Sequence, residues 1–198
     1  MTAERIEYDI VALASLSDER YSTLQGRVLE RLAEFECSRS EHLQKFARGG
    51  VANYEAHGHS RTYVAITPCE PSDIDVAGFF TIGMTSLDLT QASNSARTKL
   101  MGNIPLEVTG AYSIAELARS DRYTAAQLPG SVLLDEAKAK VAQARSLVAG
   151  RFLVVDAQEI VYERLYQPAG FRRVSVAKPP IGMEDRDFVV ACAVIKDW

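Results

Sequence analysis

The chain's clearest chemical feature is Gly130-Ser131, set where a long helical pattern begins after Gln127-Leu128-Pro129. The first N–H groups of a helix have no partners inside it. A helix start with glycine backbone can therefore hold phosphate oxygens, and Ser131 adds a hydroxyl. By itself the segment reads equally well as a plain turn that opens a helix, because one glycine-bearing turn is a weak signal. Arg119 and Arg122 precede the loop and could either meet anionic oxygens or stay solvated. Metal chemistry has little support. The three histidines are His42, His57 and His59, with His57 and His59 in a loop and no third ligand nearby. The three cysteines, Cys37, Cys69 and Cys192, are odd in number and lack CxxC spacing, which suits a reducing compartment.

The elements around this loop follow from hydrophobic periodicity. Ile6–Leu13 alternates as a first strand, and Ser17-Asp18-Glu19 caps a helix running to Phe35 with Leu24, Val28, Leu29 and Leu32 on one stripe. Ser38–Ser40 opens a second helix, weakened at Gly49-Gly50. Arg61–Thr67 and Val76–Met84 read as a hairpin joined by a polar loop, Pro68–Asp75. The polar stretch Ser86–Asn103 has room for one short helix. Tyr112–Arg119 is a strand. Gly130–Ala149 is the strongest helix, with Val132, Leu133, Ala137, Val141, Ala144 and Val148 as its buried stripe and Gly150 as its C-cap. Phe152–Val155 is a short buried strand and Glu159–Gln167 a short helix. Phe171–Val176 and Phe188–Ile195 are strands around the turn-rich KPPIGMEDRD. The order β-α-α-β-β-β-α-β-α-β-β predicts an α/β (α+β) fold, a mixed sheet with helices on its faces, in a single domain over 1–198.

Composition bounds the function. With 47% hydrophobic and 24% charged residues the chain is globular. A net charge of −4 and a pI near 5.5 argue against a general nucleic-acid binder, although one basic patch on an acidic body stays open. No apolar run approaches the roughly 18–20 residues a bilayer needs, and MTAERIEYDI has no apolar signal region. These points predict a cytoplasmic protein without a membrane partner.

Three pieces between Ile114 and Phe171 resemble the GCN5-related N-acetyltransferase (GNAT) family. ELARSDRY (Glu116–Tyr123) resembles its fourth strand running into the phosphate loop. AAQLPGSVLL (Ala125–Leu134) resembles the loop Gln/Arg-x-x-Gly-x-Gly/Ala. LYQPAGF (Leu165–Phe171) resembles Phe-Tyr-x-x-x-Gly-Phe. The resemblance implies an acyl-CoA N-acyltransferase fold with a central, mostly antiparallel sheet flanked by helices. It implies acetyl-CoA as the cofactor, held by backbone groups of Leu117, Ala118 and Arg119 along the pantetheine arm and by Ala125, Gln127, Leu128, Gly130 and Ser131 at the phosphates. Departures from the pattern are visible. Ala125 stands where Gln or Arg is usual, Leu128 where the first glycine is usual, and Pro129 removes an N–H donor. A shift of one or two residues would give the polar role to Gln127. Glu159 stands where asparagine is common.

The resemblance also implies catalytic roles. Tyr166 matches the family's tyrosine near the thioester sulfur. A phenol with a reference pKa of about 10 can protonate a thiolate whose thiol has one of about 8.5. The other reading of Tyr166 is a half-buried aromatic bonded to backbone. Glu116 is the candidate base, Ser113 the reserve, and Tyr162 packing. Phe79, Phe80 and Tyr63 fill the sheet face, with Phe79 or Phe80 also open as acceptor-pocket walls, and Cys192 is a core residue. The implied activity is acetyl transfer from acetyl-CoA to an amine by direct attack in a ternary complex. The acceptor is left open among an amine-bearing small molecule, a peptide and an aminoacyl-tRNA, as is a homodimer. Two alternatives accompany this reading: a catalytically degenerate binding module, and a toxin-type acetyltransferase of a mobile element acting on aminoacyl-tRNA.

Overall fold

The computed structural model describes residues 4–69, 73–102, 104–175 and 188–195. Its strands form a seven-stranded mixed sheet in the order β1-β2-β3-β4-β5-β7-β6. The chain divides into two compact units, Met1–Gly83 with Glu116–Lys138, and Met84–Ala115 with Ala139–Trp198. No described helix is long and apolar enough to cross a membrane.

In the first unit, β1 (Asp9–Ala12) is shorter than the sequence pattern suggests. Leu13–Ser17 turns into a short 3-10 helix, and upstream Ile6 donates its N–H to Gln127 O at 3.2 Å. Asp18 accepts from Arg20 N at 3.0 Å, so its cap serves the 3-10 turn Glu19–Tyr21, and α1 (Ser22–Ala33) starts later than expected. Ser40 caps α2 (Glu41–Lys45) by accepting from Leu43 N at 3.3 Å. A π-helical turn, Phe46–Gly50, then joins α2 to α3 (Val51–Ala56). A Cβ on Gly50 would lie 2.6 Å from Phe46 Cδ2, so the weak point seen in the sequence is where a ring fills the glycine's space.

Strands β2 (Ser60–Cys69) and β3 (Asp73–Asp88) pair antiparallel with a register shift at Ala65/Ile66. Of the expected loop Pro68–Asp75, Pro68, Cys69 and Asp73–Asp75 are strand, and 70–72 lie outside the described residues. Arg31 of α1 extends the sheet there, donating to Ile74 O at 3.0 Å and to Asp73 Oδ2 at 2.5 Å. One apolar cluster gathers Val28, Leu32, Phe35, Phe46, Val51, Val64, Phe79 and Ala118, with Phe35 edge-on to Phe79 at 5.2 Å. The opposite face holds Ala65, Ala77, Leu128 and Leu133, with Ile6, Tyr8, Ile10 and Leu117 packed against them.

In the second unit, Ser93 caps α4 (Asn94–Met101), the short helix expected in the polar stretch. Three elements run through both units: β3, β4 (Val108–Arg119) and α5 (Gly130–Leu147). The apolar positions β5 (Phe152–Gln158) and β7 (Phe188–Val194) pair antiparallel from Phe152↔Val194 to Gln158↔Phe188, and β6 (Arg172–Arg173) adds to β7. Residue 176 and the segment KPPIGMEDRD lie outside the described residues. The α5 stripe is Leu133, Ala137 and Val141 with Leu134, whereas Val148 lies past the helix end and is 61% exposed. Gly150 has no positive φ and is not the helix's left-handed cap. It is needed for clearance, because a Cβ there would lie 2.8 Å from Tyr112 Cδ2, and the Tyr112 hydroxyl donates to Val148 O.

Candidate active site

The loop before α5 is built by short-range bonds. Thr124 N donates to Gln127 Oε1 at 2.9 Å, Thr124 Oγ1 donates to the same oxygen at 3.0 Å, and Leu128 N donates to Thr124 O at 3.0 Å. The amide oxygen of Gln127 is therefore committed to the turn. Two loop carbonyls are held by protein donors: Gln127 O by Ile6 N, and Leu128 O by Arg119 Nη1 at 3.1 Å. Val132 N donates back to Pro129 O at 3.1 Å. The N–H groups of Gly130 and Ser131 fall in the first turn of α5, where no helical acceptor precedes them, and Ser131 is exposed. They form the helix-terminal donors suited to phosphate oxygens.

Leu128 occupies its odd position for a structural reason. It is fully buried among Ala65, Ala77 and Leu133, so its side chain points into the core. Gly78 of β3 makes the room, since a Cβ there would sit 2.8 Å from Ala118 O, 3.0 Å from Leu133 Cδ1 and 3.3 Å from Leu128 Cδ2. Ala125 is exposed.

The residues before the loop divide by strand alternation. Glu116 N donates to Thr81 Oγ1 at 3.0 Å, Ala118 O crowds Gly78, and Ser120 N donates to Ala77 O at 2.9 Å. The backbone groups of 116, 118 and 120 thus face β3, and those of Leu117 and Arg119 face the other edge. Parallel pairing of β4 with β5 covers only Tyr112–Ile114 against Leu153–Val155. Beyond Ile114 that edge of β4 has no ladder partner among the described residues, so Leu117 and Arg119 present unpaired backbone groups where Ala118 does not. The Arg119 Nε is buried without a bonded partner, and burial together with the nearby Arg39 charge pulls the guanidinium down from its ordinary value.

Side chains alternate as well. Glu116 and Ala118 share the strand face covered by α1–α3, and Leu117 faces Leu128 and Leu133. The Glu116 side chain is 14% exposed, and its Oε1 lies 2.7 Å from Nε2 of His42, which is 55% exposed. Burial pushes the Glu116 carboxyl above its usual range, opposed by the hydrogen bond and charge of His42. No local pattern in the sequence marks His42, which lies 74 positions from Glu116. Ser60 and Thr62, on β2, carry buried hydroxyls without bonded partners.

Arg122 is occupied elsewhere. It donates to Asp75 at 3.3 Å and lies 3.7 Å from Glu34, while the Tyr123 hydroxyl donates to Asp75 at 2.9 Å. These bonds anchor the loop's entry to β3. Phe79 and Phe80 are both fully buried, Phe80 stacked on Tyr63 at 5.1 Å, so neither forms an accessible pocket wall. His57 Nδ1 lies 2.8 Å from Asn53 O, at the end of α3.

In the second unit a π-helical turn, Tyr162–Tyr166, follows α6 (Glu159–Val161), and the LYQPAGF motif begins with its last two residues and continues as a turn to Gly170. Gln167 N donates to Tyr162 O at 2.8 Å, the i→i+5 bond that defines such a turn. Gly170 adopts φ +90°, which explains the motif's glycine, and Phe171 returns to pack edge-on against Tyr166 at 5.3 Å. Tyr166 is 6% exposed, more buried than half, and Tyr162 is packed with its hydroxyl near Phe171 O at 3.5 Å. Glu159 pairs with Arg173. Ser113 is partly buried on β4, of opposite parity to Glu116. Burial pushes the Cys192 thiol up to about 11, as suits a core residue.

These elements, with a parallel β4–β5 pair and a loop leading into the N-terminus of α5, form a GNAT-like fold. Solved structures agree. A tyrosine-to-phenylalanine mutant of KacT superposes with TM-score 0.66 at 16% identity, covering 94% of each chain. AtaT complexed with acetyl-methionyl-tRNAfMet gives TM-score 0.65 at 19% identity over 93% of this chain and 94% of that one. AtaTR bound with AcCoA gives 0.63 at 18%, over 93% and 92%. No protein-family model and no curated protein matches the chain.

Proposed function

We propose that this protein is an acetyl-CoA-dependent N-acetyltransferase whose acceptor is the amino group of an aminoacyl-tRNA. The observation that carries the reading lies within the first unit: an unpaired β4 edge at Leu117 and Arg119 leads into a loop whose bulky Leu128 is turned away, ahead of the Gly130 and Ser131 donors. Those features fit a pantetheine arm added as a strand and a pyrophosphate at a helix start. Ala125 and Gln127 flank the phosphates in this reading. The acceptor is chosen because AtaT, of the same fold, is complexed with acetyl-methionyl-tRNAfMet.

Acetyl-CoA supplies the activated acetyl group. Leu117 N–H, on the open edge, polarises the acyl oxygen. Glu116, through the carboxylate oxygen not bonded to His42, takes the proton that an acceptor ammonium must lose before it can attack. Tyr166 is the acid for the departing sulfur, because a phenol with a reference pKa of about 10 carries its proton at neutral pH.

Calorimetry with acetyl-CoA tests the cofactor. Absence of heat at millimolar concentration removes the enzymatic reading and leaves a binding module. With methionyl-tRNA as acceptor, Tyr166→Phe should lower CoA release about 100-fold or more while leaving the acetyl-CoA Kd within about twofold. Full turnover by the variant removes Tyr166 from the mechanism. Growth arrest on expression, relieved by Tyr166→Phe, would place the protein among toxins. Harmless expression would count against that role.

A further inference from the structure

Glu116 is held at both ends. Its backbone N–H donates to the Thr81 hydroxyl at 3.0 Å, and its carboxylate lies 2.7 Å from Nε2 of His42 on α2. Only Oε1 is bonded; Oε2 has no bonded partner among the described residues. His42 in turn is held by its place in the capped first turns of α2 and by its ring lying against Phe46 at 6.4 Å, and Phe46 is anchored on Phe79.

We infer that His42 is a positioning residue for Glu116: its Nε2–H fixes Oε1, keeps the buried carboxyl in its carboxylate form and leaves Oε2 for the acceptor amine. This rests on the acetyltransferase reading for its purpose, but not for its geometry. A carboxylate mostly out of water needs a donor to stay ionised, and an orientation to act as a base. His42 provides both from a helix that reaches solvent. The other charged groups of α2, the π-helical turn and α3 are engaged elsewhere. Glu41 and Lys45 of α2 pair at 2.7 Å, Glu55 of α3 pairs with Arg61 at 2.7 Å, and Arg48 donates to Phe35 O at 3.0 Å. Nε2 of His42 is the polar partner of the Glu116 carboxylate.

The test compares the parent with His42→Phe, which keeps an aromatic on Phe46 but no donor, and His42→Gln, which keeps an N–H donor. Titration of the Glu116 carboxyl by carbon NMR, assigned with Glu116→Gln, needs neither acetyl-CoA nor acceptor. Its midpoint should rise by about one pH unit in His42→Phe and less in His42→Gln. With methionyl-tRNA and acetyl-CoA, His42→Phe should lower kcat about tenfold and move the acidic limb of kcat/KM upward by the same interval, with acetyl-CoA affinity unchanged. His42→Gln should recover part of the loss. An unchanged midpoint in a folded His42→Phe protein overturns the inference. An active parent whose His42→Phe variant keeps its rate and pH profile overturns the positioning role while leaving the acetyltransferase reading standing. A parent that releases no CoA overturns the reading and the role together.

Discussion

Leu128 stands where the resemblance to GNAT phosphate loops implies a glycine, and the two explanations of that leucine predict opposite results. If the side chain obstructs the pyrophosphate, shortening it should tighten acetyl-CoA binding at little cost. The structure instead has it fully buried against Ala65, Ala77 and Leu133. Leu128→Ala removes three carbons from that site, a transfer loss of about 2.4 kcal/mol at about 0.8 kcal/mol per carbon. Strand backbone on one side and α5 on the other limit collapse of the hole, so the cavity raises the total to about 3–4 kcal/mol. At about 2–4 °C per kcal/mol for a chain of this size, Tm should fall by about 6–16 °C. Differential scanning calorimetry gives Tm, urea unfolding gives the free energy, and titration calorimetry with acetyl-CoA gives the affinity on the folded variant. The affinity should stay level or weaken, because the loop loses its anchor. A variant that melts within about 1 °C of the parent, or one that binds acetyl-CoA severalfold tighter, would refute the core assignment.

Gly78→Ala should cost about 1–3 kcal/mol by overpacking, since the new methyl meets Ala118 O at 2.8 Å and Leu133 at 3.0 Å, and urea midpoints would register it. Tyr123→Phe strips the buried Asp75 of one of its donors and should cost about 1–3 kcal/mol in the same assay; no change would mean that Arg122 alone suffices. Glu116→Gln should change the pH dependence of stability. Burial raises the folded carboxyl above its ordinary 4.5, so its favourable contribution is present below that value and is lost as pH rises through the raised one. The variant should therefore gain on the parent between pH 4 and pH 7 in urea melts, and a parent that gains on the variant would reverse the sign.

Much of the fold is legible in the chain because local patterns report local geometry. Ser40 as a cap, the helix beginning at Gly130, the short helix within the polar stretch and the apolar strand at Phe152 all follow from periodicity and capping chemistry. Local patterns mislead where tertiary contacts outweigh propensity. Pro68–Asp75 looks like a loop in composition, yet Arg31 draws Asp73 and Ile74 into strand. Gly150 looks like a helix cap, yet it is glycine because a Tyr112 ring occupies the space.

The candidate site divides the same way. The residues themselves suffice to mark Gly130-Ser131 as helix-terminal donors, whereas the +90° φ that makes Gly170 a glycine is seen only in the folded chain. Which backbone groups of β4 lie open depends on where its pairing with β5 stops, a fact of register that no local spacing encodes. Likewise the inward direction of Leu128 and the meeting of His42 with Glu116 across 74 residues exist only after the chain has packed. The sequence by itself determined the order of elements and the helix start that suits an anion, because both depend on neighbours in the chain. The tertiary structure alone decided which carboxylate has a partner and which edge is free, because those depend on residues brought together by burial.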